Sequence, residues 1–102
     1  MRLSLLKLLL KRLKQNAMTY KLFISRKAQK QLLKLPANDY QKVKQTILNL
    51  AINPRPAGSK KLKGRDGWRV RQGNYRIIYD IEDDVLIVTV LDTRHRKDIY
   101  RK

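Results

Sequence analysis

The chain of 102 residues contains no cysteine and a single histidine, His95. The first absence excludes disulfides, thiol catalysis and thiolate metal sites, and the second excludes a metal site built from several histidines. No apolar run approaches the roughly 18 residues that span a bilayer, so we expect no stable membrane association. The lack of cysteine is compatible with a reducing cytoplasm, which is the location we predict, and no residue pattern indicates a cofactor.

Acidic residues are also scarce, because eight Asp and Glu stand against 25 Lys and Arg and leave a formal charge of +17. Such an excess destabilises the compact state by self-repulsion and is usually tolerated for the sake of an acidic partner. The length allows one domain with one core, and the apolar residues recur periodically. We expect a folded basic domain whose partner is RNA, DNA, an anionic membrane or an acidic protein segment.

The first seventeen residues differ in composition from the rest of the chain. Leu3, Leu6, Leu10 and Leu13 recur at helical spacing, and the lysines between them fall on another face. This pattern is typical of a basic amphipathic helix. Because Met18 opens a sequence that has the pattern of a complete domain, we divide the chain into an extension at 1–17, native or not, and a domain at 18–102.

The domain has the pattern of an α+β protein. Residues 19–24 alternate like a strand, Ser25 is suited to cap a helix that ends at Leu35, and Asn38 or Asp39 to cap a second helix that ends near residue 51. A basic loop precedes Trp68, and apolar segments follow it. The expected order is an N-terminal strand, an αα-hairpin, a three-stranded antiparallel meander and a short C-terminal tail.

Gly73 and Asn74 separate two alternating segments, which is the signal of a two-residue β-hairpin. With this turn, Arg71 pairs with Arg76, and Arg69 lies diagonally on the same face. Trp68, Val70, Tyr75, Ile77, Tyr79 and Ile81 then share the opposite face as the core. Like charges opposed across strands are unfavourable, so a bound polyanion would offset a local cost. The alternative is that the arginines only solvate the outer face of the sheet.

The third strand is predicted over Val85–Leu91 after a turn at Asp83 and Asp84. This turn pairs Ile77 with Val90 and Arg76 with Leu91. It would bring the residues that follow the strand next to the arginine face. The tail is expected to form about one helical turn.

The predicted basic and aromatic patch comprises Lys61, Lys63, Arg69, Arg71, Arg76, Arg94, His95, Arg96 and Tyr100, with Asp98 as its single acidic neighbour. Arginine binds phosphate in a bidentate manner and a phenol can stack on a base, so this patch is suited to RNA.

These residues resemble a known family. The segments Lys61-Leu62-Lys63-Gly64, Asn74-Tyr75-Arg76-Ile77-Ile78-Tyr79 and Arg94-His95-Arg96-Lys97-Asp98-Ile99-Tyr100, in this order, resemble the RelE/ParE toxin superfamily over residues 18–102. The resemblance implies a RelE-like fold and the toxin of a type II toxin–antitoxin pair. Its partners would be a RelB-like antitoxin with an acidic segment, the ribosome and mRNA.

The RelE branch cleaves mRNA in the ribosomal A site, by attack of a ribose 2′-OH on the adjacent phosphate. The resemblance therefore implies a metal-independent endoribonuclease. It assigns the catalytic roles to Arg69, Arg71, Arg76, Arg94 and Tyr100. It also places Lys63 at a basic loop position that contacts substrate. The basic patch adds Lys61, His95 and Arg96 as RNA-binding residues.

The identity of the proton acceptor stays open. Some members carry lysine where this chain has Arg69 and Arg71, and arginine is a poor base. Either alignment and electrostatics supply most of the rate, or His95, Lys63 or Tyr100 transfers the proton. Two other functions compete with cleavage: inhibition of DNA gyrase, as in the ParE branch, and nucleic-acid binding without catalysis.

Overall fold

The computed structural model describes residues 19–97. The predicted extension at 1–17 and the tail at 98–102 lie outside the described residues. The predicted α+β architecture is confirmed. The strands form one sheet, and two helices pack against it. The elements are β1 (Lys21–Ile24), α1 (Arg26–Leu33), α2 (Ala37–Ile52), β2 (Lys60–Lys61), β3 (Trp68–Gln72), β4 (Tyr75–Glu82) and β5 (Ile87–His95).

The sheet has the strand order β1-β5-β4-β3-β2. The predicted antiparallel meander is confirmed in β3, β4 and β5. Two pairings extend it, since β1 lies parallel to β5 and the short β2 lies antiparallel to β3. The strand β5 lies between β1 and β4 and is therefore an internal strand of the sheet. Its continuous apolar sequence is typical of such a strand.

The two helices pack against one face of the sheet. Ala28 and Leu32 from α1, with Val43, Ile47 and Leu50 from α2, form the buried helix side of the core. The sheet side is formed by Val70, Tyr75, Ile77, Tyr79, Val88 and Val90. We call the face of the sheet that carries these residues the covered face. Among residues 19–97, no helix is both long enough and apolar enough to cross a membrane.

The helix boundaries confirm one predicted cap and correct the other. Ser25 caps α1, because its Oγ accepts the N–H of Ala28 at 3.1 Å. The cap of α2 is Pro36, not Asn38 or Asp39. Asp39 lies inside the first turn of the helix. Its carboxylate accepts a hydrogen bond from the hydroxyl of Tyr75 in the sheet at 2.9 Å.

Candidate active site

The hairpin between β3 and β4 places three arginines on the exposed side of the sheet. All five predicted pairs are confirmed, including Arg71 with Arg76 and Arg69 with Ile78. Gly73 takes a φ of +59°, which its lack of a Cβ permits. Because side chains alternate along a strand, the arginines lie opposite the core. We call this side the open face; it carries Arg69, Arg71, Arg76, Ile78, Asp80, Asp92 and Arg94.

The turn between β4 and β5 is longer than predicted. It contains the four residues 83–86, and Glu82 pairs with Ile87. The predicted pairs of Ile77 with Val90 and Arg76 with Leu91 are therefore wrong. Leu86 takes a φ of +55°, a conformation that β-carbon sterics disfavour in residues other than glycine and that no sequence signal indicated.

A β-bulge at Leu91 decides which side chains of β5 reach the open face. Tyr79 pairs with Val90 and Ile78 with Asp92, so Leu91 is an extra residue without a partner. An extra residue reverses the alternation of faces beyond it. Without it, Asp92 and Arg94 would follow Val90 onto the covered face. With it, Arg94 lies on the open face, directly opposite Arg76.

Helix α1 replaces β1 as the neighbour of β5 beyond Val90. The N–H of Ser25 donates to the carbonyl of Val90 at 2.8 Å, and its hydroxyl donates to the carbonyl of Leu91 at 3.0 Å. Further along, the side-chain oxygen of Gln31 accepts the N–H of Thr93 at 2.7 Å. These contacts satisfy backbone groups that no strand pairs, and so stabilise the bulge that orients Arg94.

The open face concentrates positive charge around Arg76. Its two strand neighbours are Arg71 on one side and Arg94 on the other. The buried Nε of Arg76 has no hydrogen-bond partner among the described residues. Burial, followed by the charges of Arg71 and Arg76, lowers the pKa of Arg69. These like charges repel one another, so an anion bound between them would be stabilised by all of them.

A cavity of about 290 Å³ opens on this face beside β4 and β5. It brings the basic loop after β2 next to the arginines of the sheet. A single acidic residue, Asp92, contributes to its lining. The lining residues are Leu62, Lys63, Arg65, Arg76, Ile78, Asp92 and Arg94. Its volume and its cationic walls are suited to a phosphate group with the sugar attached to it.

Comparisons with known proteins identify the family of this chain. Residues 22–100 match the family model of the ParE toxin of type II toxin–antitoxin systems, parDE. The chain belongs to the RelE/ParE toxin superfamily. A curated relative from Methanocaldococcus jannaschii named "Putative toxin RelE1" is 32% identical over 88 residues, which cover 82% of this chain and 98% of that protein.

Solved structures show the same RelE/ParE toxin fold. The archaeal RelE–RelB complex of Pyrococcus horikoshii matches with a TM-score of 0.71 and 28% identity over 83% of this chain and 100% of that chain. The RelBE2 toxin–antitoxin complex of Mycobacterium tuberculosis matches with a TM-score of 0.69 and 28% identity, over 78% of this chain and 93% of that chain. The family predicted from the sequence is thus confirmed.

The structure of this RelE/ParE toxin brings together five of the predicted site residues. Arg69, Arg71, Arg76 and Arg94 share the open face, and Lys63 lines the cavity with two of them. Tyr100 lies outside the described residues. Arg96 is exposed, and its N–H donates to the carbonyl of Asn74 at 2.6 Å, beside the hairpin turn.

His95 does not join this group, contrary to the expected placement. It pairs with Tyr75 on the covered face, where the two rings contact edge to face with centroids 5.1 Å apart. The bulge causes the difference, since the predicted register would have put His95 on the arginine side. Lys61 pairs with Trp68 and therefore also lies on the covered side of the sheet, whereas Lys60 pairs with Arg69 on the open face.

Three residues of the site were missing from the sequence prediction: Lys60, Arg65 and Asp92. The first two belong to the same basic run as Lys61 and Lys63, so composition alone could have included them. Asp92 gave no signal, because the predicted strand ended before it. Among the described residues, no group of three or more His, Cys, Asp or Glu side chains could hold a metal ion.

Proposed function

We propose that this toxin is a metal-independent endoribonuclease that cleaves mRNA in the ribosomal A site and so halts translation. The observation that supports this most strongly is the row of guanidinium groups across three adjacent strands, Arg71, Arg76 and Arg94. They lie side by side on the face of the sheet opposite the helix-covered core. A pentavalent phosphorane carries more negative charge than the phosphodiester, so this row binds the transition state better than the substrate.

Arg76 has the central role in this proposal. Its Nε is a buried donor of a charged group without a hydrogen-bond partner among residues 19–97, so this arginine is held at a cost in stability that a bound anion would offset. The terminal nitrogens of Arg76, which lines the cavity, would donate to one phosphate oxygen, and Arg71 and Arg94 would stabilise the remaining oxygens. Arg69, farther from β5, and Tyr100 complete the catalytic set that the resemblance assigns. Arginine remains charged at neutral pH, so this stabilisation is always present.

The reaction uses a nucleophile that RNA itself provides. The 2′-oxygen attacks the adjacent phosphorus, its proton passes to an acceptor, and the bond to the 5′-oxygen breaks as that oxygen takes up a proton. The products are a 2′,3′-cyclic phosphate and a 5′-hydroxyl. Lys63 is the candidate for proton transfer beside Arg76 and Arg94, since it lines their cavity. His95 lies across the sheet and is not proposed as the base.

We also propose that a RelB-like antitoxin with an acidic segment binds this toxin. Two matching structures are complexes of RelE with RelB, from Pyrococcus horikoshii and Methanococcus jannaschii. The formal charge of +17 supports an acidic partner, because opposite charges promote association. Lys61 is exposed on the edge strand β2 and Arg96 is exposed beside the Gly73 turn, and we assign both to contacts with RNA at the margin of the open face.

Cleavage is tested by mapping 3′ ends on mRNA held by programmed ribosomes. We expect cuts at A-site codons in translated mRNA and none in the same mRNA without ribosomes. Intact mRNA on translating ribosomes would contradict the proposal.

Inhibition of DNA gyrase is the second candidate, and the match to the ParE toxin model favours it. A supercoiling assay with the same preparation distinguishes the two. Inhibited supercoiling together with intact mRNA would identify a gyrase poison. Neither effect, with nucleic acid still bound, would identify a binder without catalysis.

A further inference from the structure

We infer that Asp92 is a positioning residue that orients the guanidinium of Arg94 toward the bound phosphate, and that Gln31 of α1 holds Asp92 in place. This inference rests on the proposed function and adds residues that neither the sequence motifs nor the comparisons assign. It concerns a carboxylate in the middle of a cationic surface. Such a group weakens the attraction for RNA, so its presence calls for a physical role.

The contacts of Asp92 divide between its two oxygens. Oδ2 forms an ion pair with the guanidinium of Arg94, with 2.7 Å between Oδ2 and Nε. Oδ1 accepts the side-chain N–H of Gln31 at 2.6 Å. Lys27 is more distant, with its Nζ 3.7 Å from Oδ2. Arg94 is therefore the principal ionic partner, and Gln31 is the brace on the other side of the carboxylate.

Gln31 is itself held by the backbone of β5. Its side-chain oxygen accepts the N–H of Thr93 at 2.7 Å while its nitrogen donates to Asp92. The amide thus connects helix α1 to two consecutive residues beyond the bulge. A side chain bound at both ends has few rotamers, so Asp92 is fixed before any ligand binds.

The geometry leaves the useful donors of Arg94 available. The carboxylate lies beside Nε, and no residue within 19–97 accepts a hydrogen bond from the two terminal nitrogens, whose four N–H groups can donate to phosphate oxygens. Both residues line the cavity, but the side chain of Asp92 is 16% exposed and that of Arg94 is 40% exposed, so the arginine is the more accessible of the two to a ligand. The pair thus orients Arg94 rather than neutralising it.

This role predicts a separation between binding and turnover. Loss of the carboxylate removes negative charge from the site, so RNA should bind equally well or better. Loss of orientation should slow the chemical step, because misplacement of a charge-stabilising group by about 1 Å can cost about a hundredfold in rate. A purely structural residue would instead reduce the amount of active toxin without separating kcat from KM.

The experiment measures kcat and KM for the full-length toxin on programmed ribosomes. We expect Asp92→Ala to lower kcat about ten- to a hundredfold with an unchanged or lower KM. Asp92→Asn keeps one acceptor oxygen, which can face Arg94 or Gln31 but not both, so its loss of kcat should lie between the wild type and Asp92→Ala. Gln31→Ala, which changes a residue of the helix, should also lower kcat without raising KM.

Asp80→Ala is the matched control. Asp80 lies on the same open face, and its Oδ1 accepts the N–H of Ile81 at 3.0 Å, so the variant removes the same charge without contact to Arg94. We expect its kcat to stay within about twofold of the wild type. An equal loss of kcat in Asp80→Ala and Asp92→Ala would overturn the positioning role, as would a wild-type kcat in Asp92→Ala.

A second readout separates this inference from the proposed function. The Nε–H resonance of Arg94 in a ¹H–¹⁵N spectrum should be protected from exchange in the wild type and in Asp80→Ala, and lost in Asp92→Ala. If the wild type leaves mRNA intact, cleavage as the function fails, and an unchanged resonance in Asp92→Ala would still overturn the orientation of Arg94.

Discussion

The two faces of the central strand β4 show how one short sequence supplies both a core and a site. Ile77 and Tyr79 face the helices and are fully buried, whereas Arg76 and Ile78 face outward. On the covered face, the hydroxyl of Tyr79 donates to the carbonyl of Pro54, and that of Tyr75 to Asp39. On the open face, like charges adjoin and a buried donor lacks a partner among residues 19–97. The covered face is stabilised by packing and hydrogen bonds, whereas the open face keeps an unfavourable cluster of like charges that the proposed function would use.

The two faces of β4 should differ most in the effect of replacing Arg76, for which we expect the largest loss of activity. Arg76→Ala should reduce mRNA cleavage about 10²–10³-fold, because it removes the central charge-stabilising group. The melting temperature should be unchanged or higher, since repulsion by Arg71 and Arg94 is relieved. The control is Arg26→Ala, which removes the same charge from the exposed start of α1. Equal activity of the two variants would contradict the site assignment.

The adjacent residue Ile77 should respond in the opposite way. Ile77→Ala opens a cavity in the middle of the covered face and should lower the free energy of unfolding by about 2–5 kcal/mol. Urea unfolding measures this loss, and the folded fraction should keep its kcat. Ile78→Ala, on the open face of the same strand, should cost clearly less. A similar cost for both variants would show that the two faces are not distinct.

Tyr79 tests the polar part of the covered face. Tyr79→Phe keeps the ring and removes the hydroxyl that donates to the carbonyl of Pro54 at 2.7 Å. The buried carbonyl would lose its partner, so we expect a loss of about 1–2 kcal/mol in unfolding free energy. Tyr40→Phe, in a half-buried tyrosine of α2, is the control. A neutral Tyr79→Phe would mean that water replaces the hydroxyl.

The smallest effect is expected at Asp83, at the end of the sheet away from the Gly73 turn. The guanidinium of Arg55 and the hydroxyl of Tyr20 lower the pKa of Asp83 to about 2. Because this pKa is below its unfolded value, the stabilisation exists above about pH 4 and disappears as the pH falls toward 2. The urea midpoints of wild type and Asp83→Asn should therefore differ at pH 7 and converge near pH 2. Asp84→Asn, at the next position, should match the wild type at both pH values.

The Gly73 turn and the turn before β5 explain which parts of the site could be predicted. The first is local, because a two-residue turn determines the register of everything it joins. It placed Arg69, Arg71 and Arg76 correctly. The second contains four residues with Leu86 in a left-handed conformation, and its sequence resembles a shorter turn. The resulting shift of register moved the pairings of β5 away from those predicted.

The sequence by itself determined the fold class, the family and the three arginines of the hairpin, since alternation and turn chemistry act between near neighbours. Only the tertiary structure decided the faces of Arg94 and His95, because the bulge at Leu91 depends on α1, whose Ser25 and Gln31 contact β5 more than 60 residues away. Those contacts form only after the helix packs on the sheet. The position of Asp92 beside Arg94 follows from the same packing.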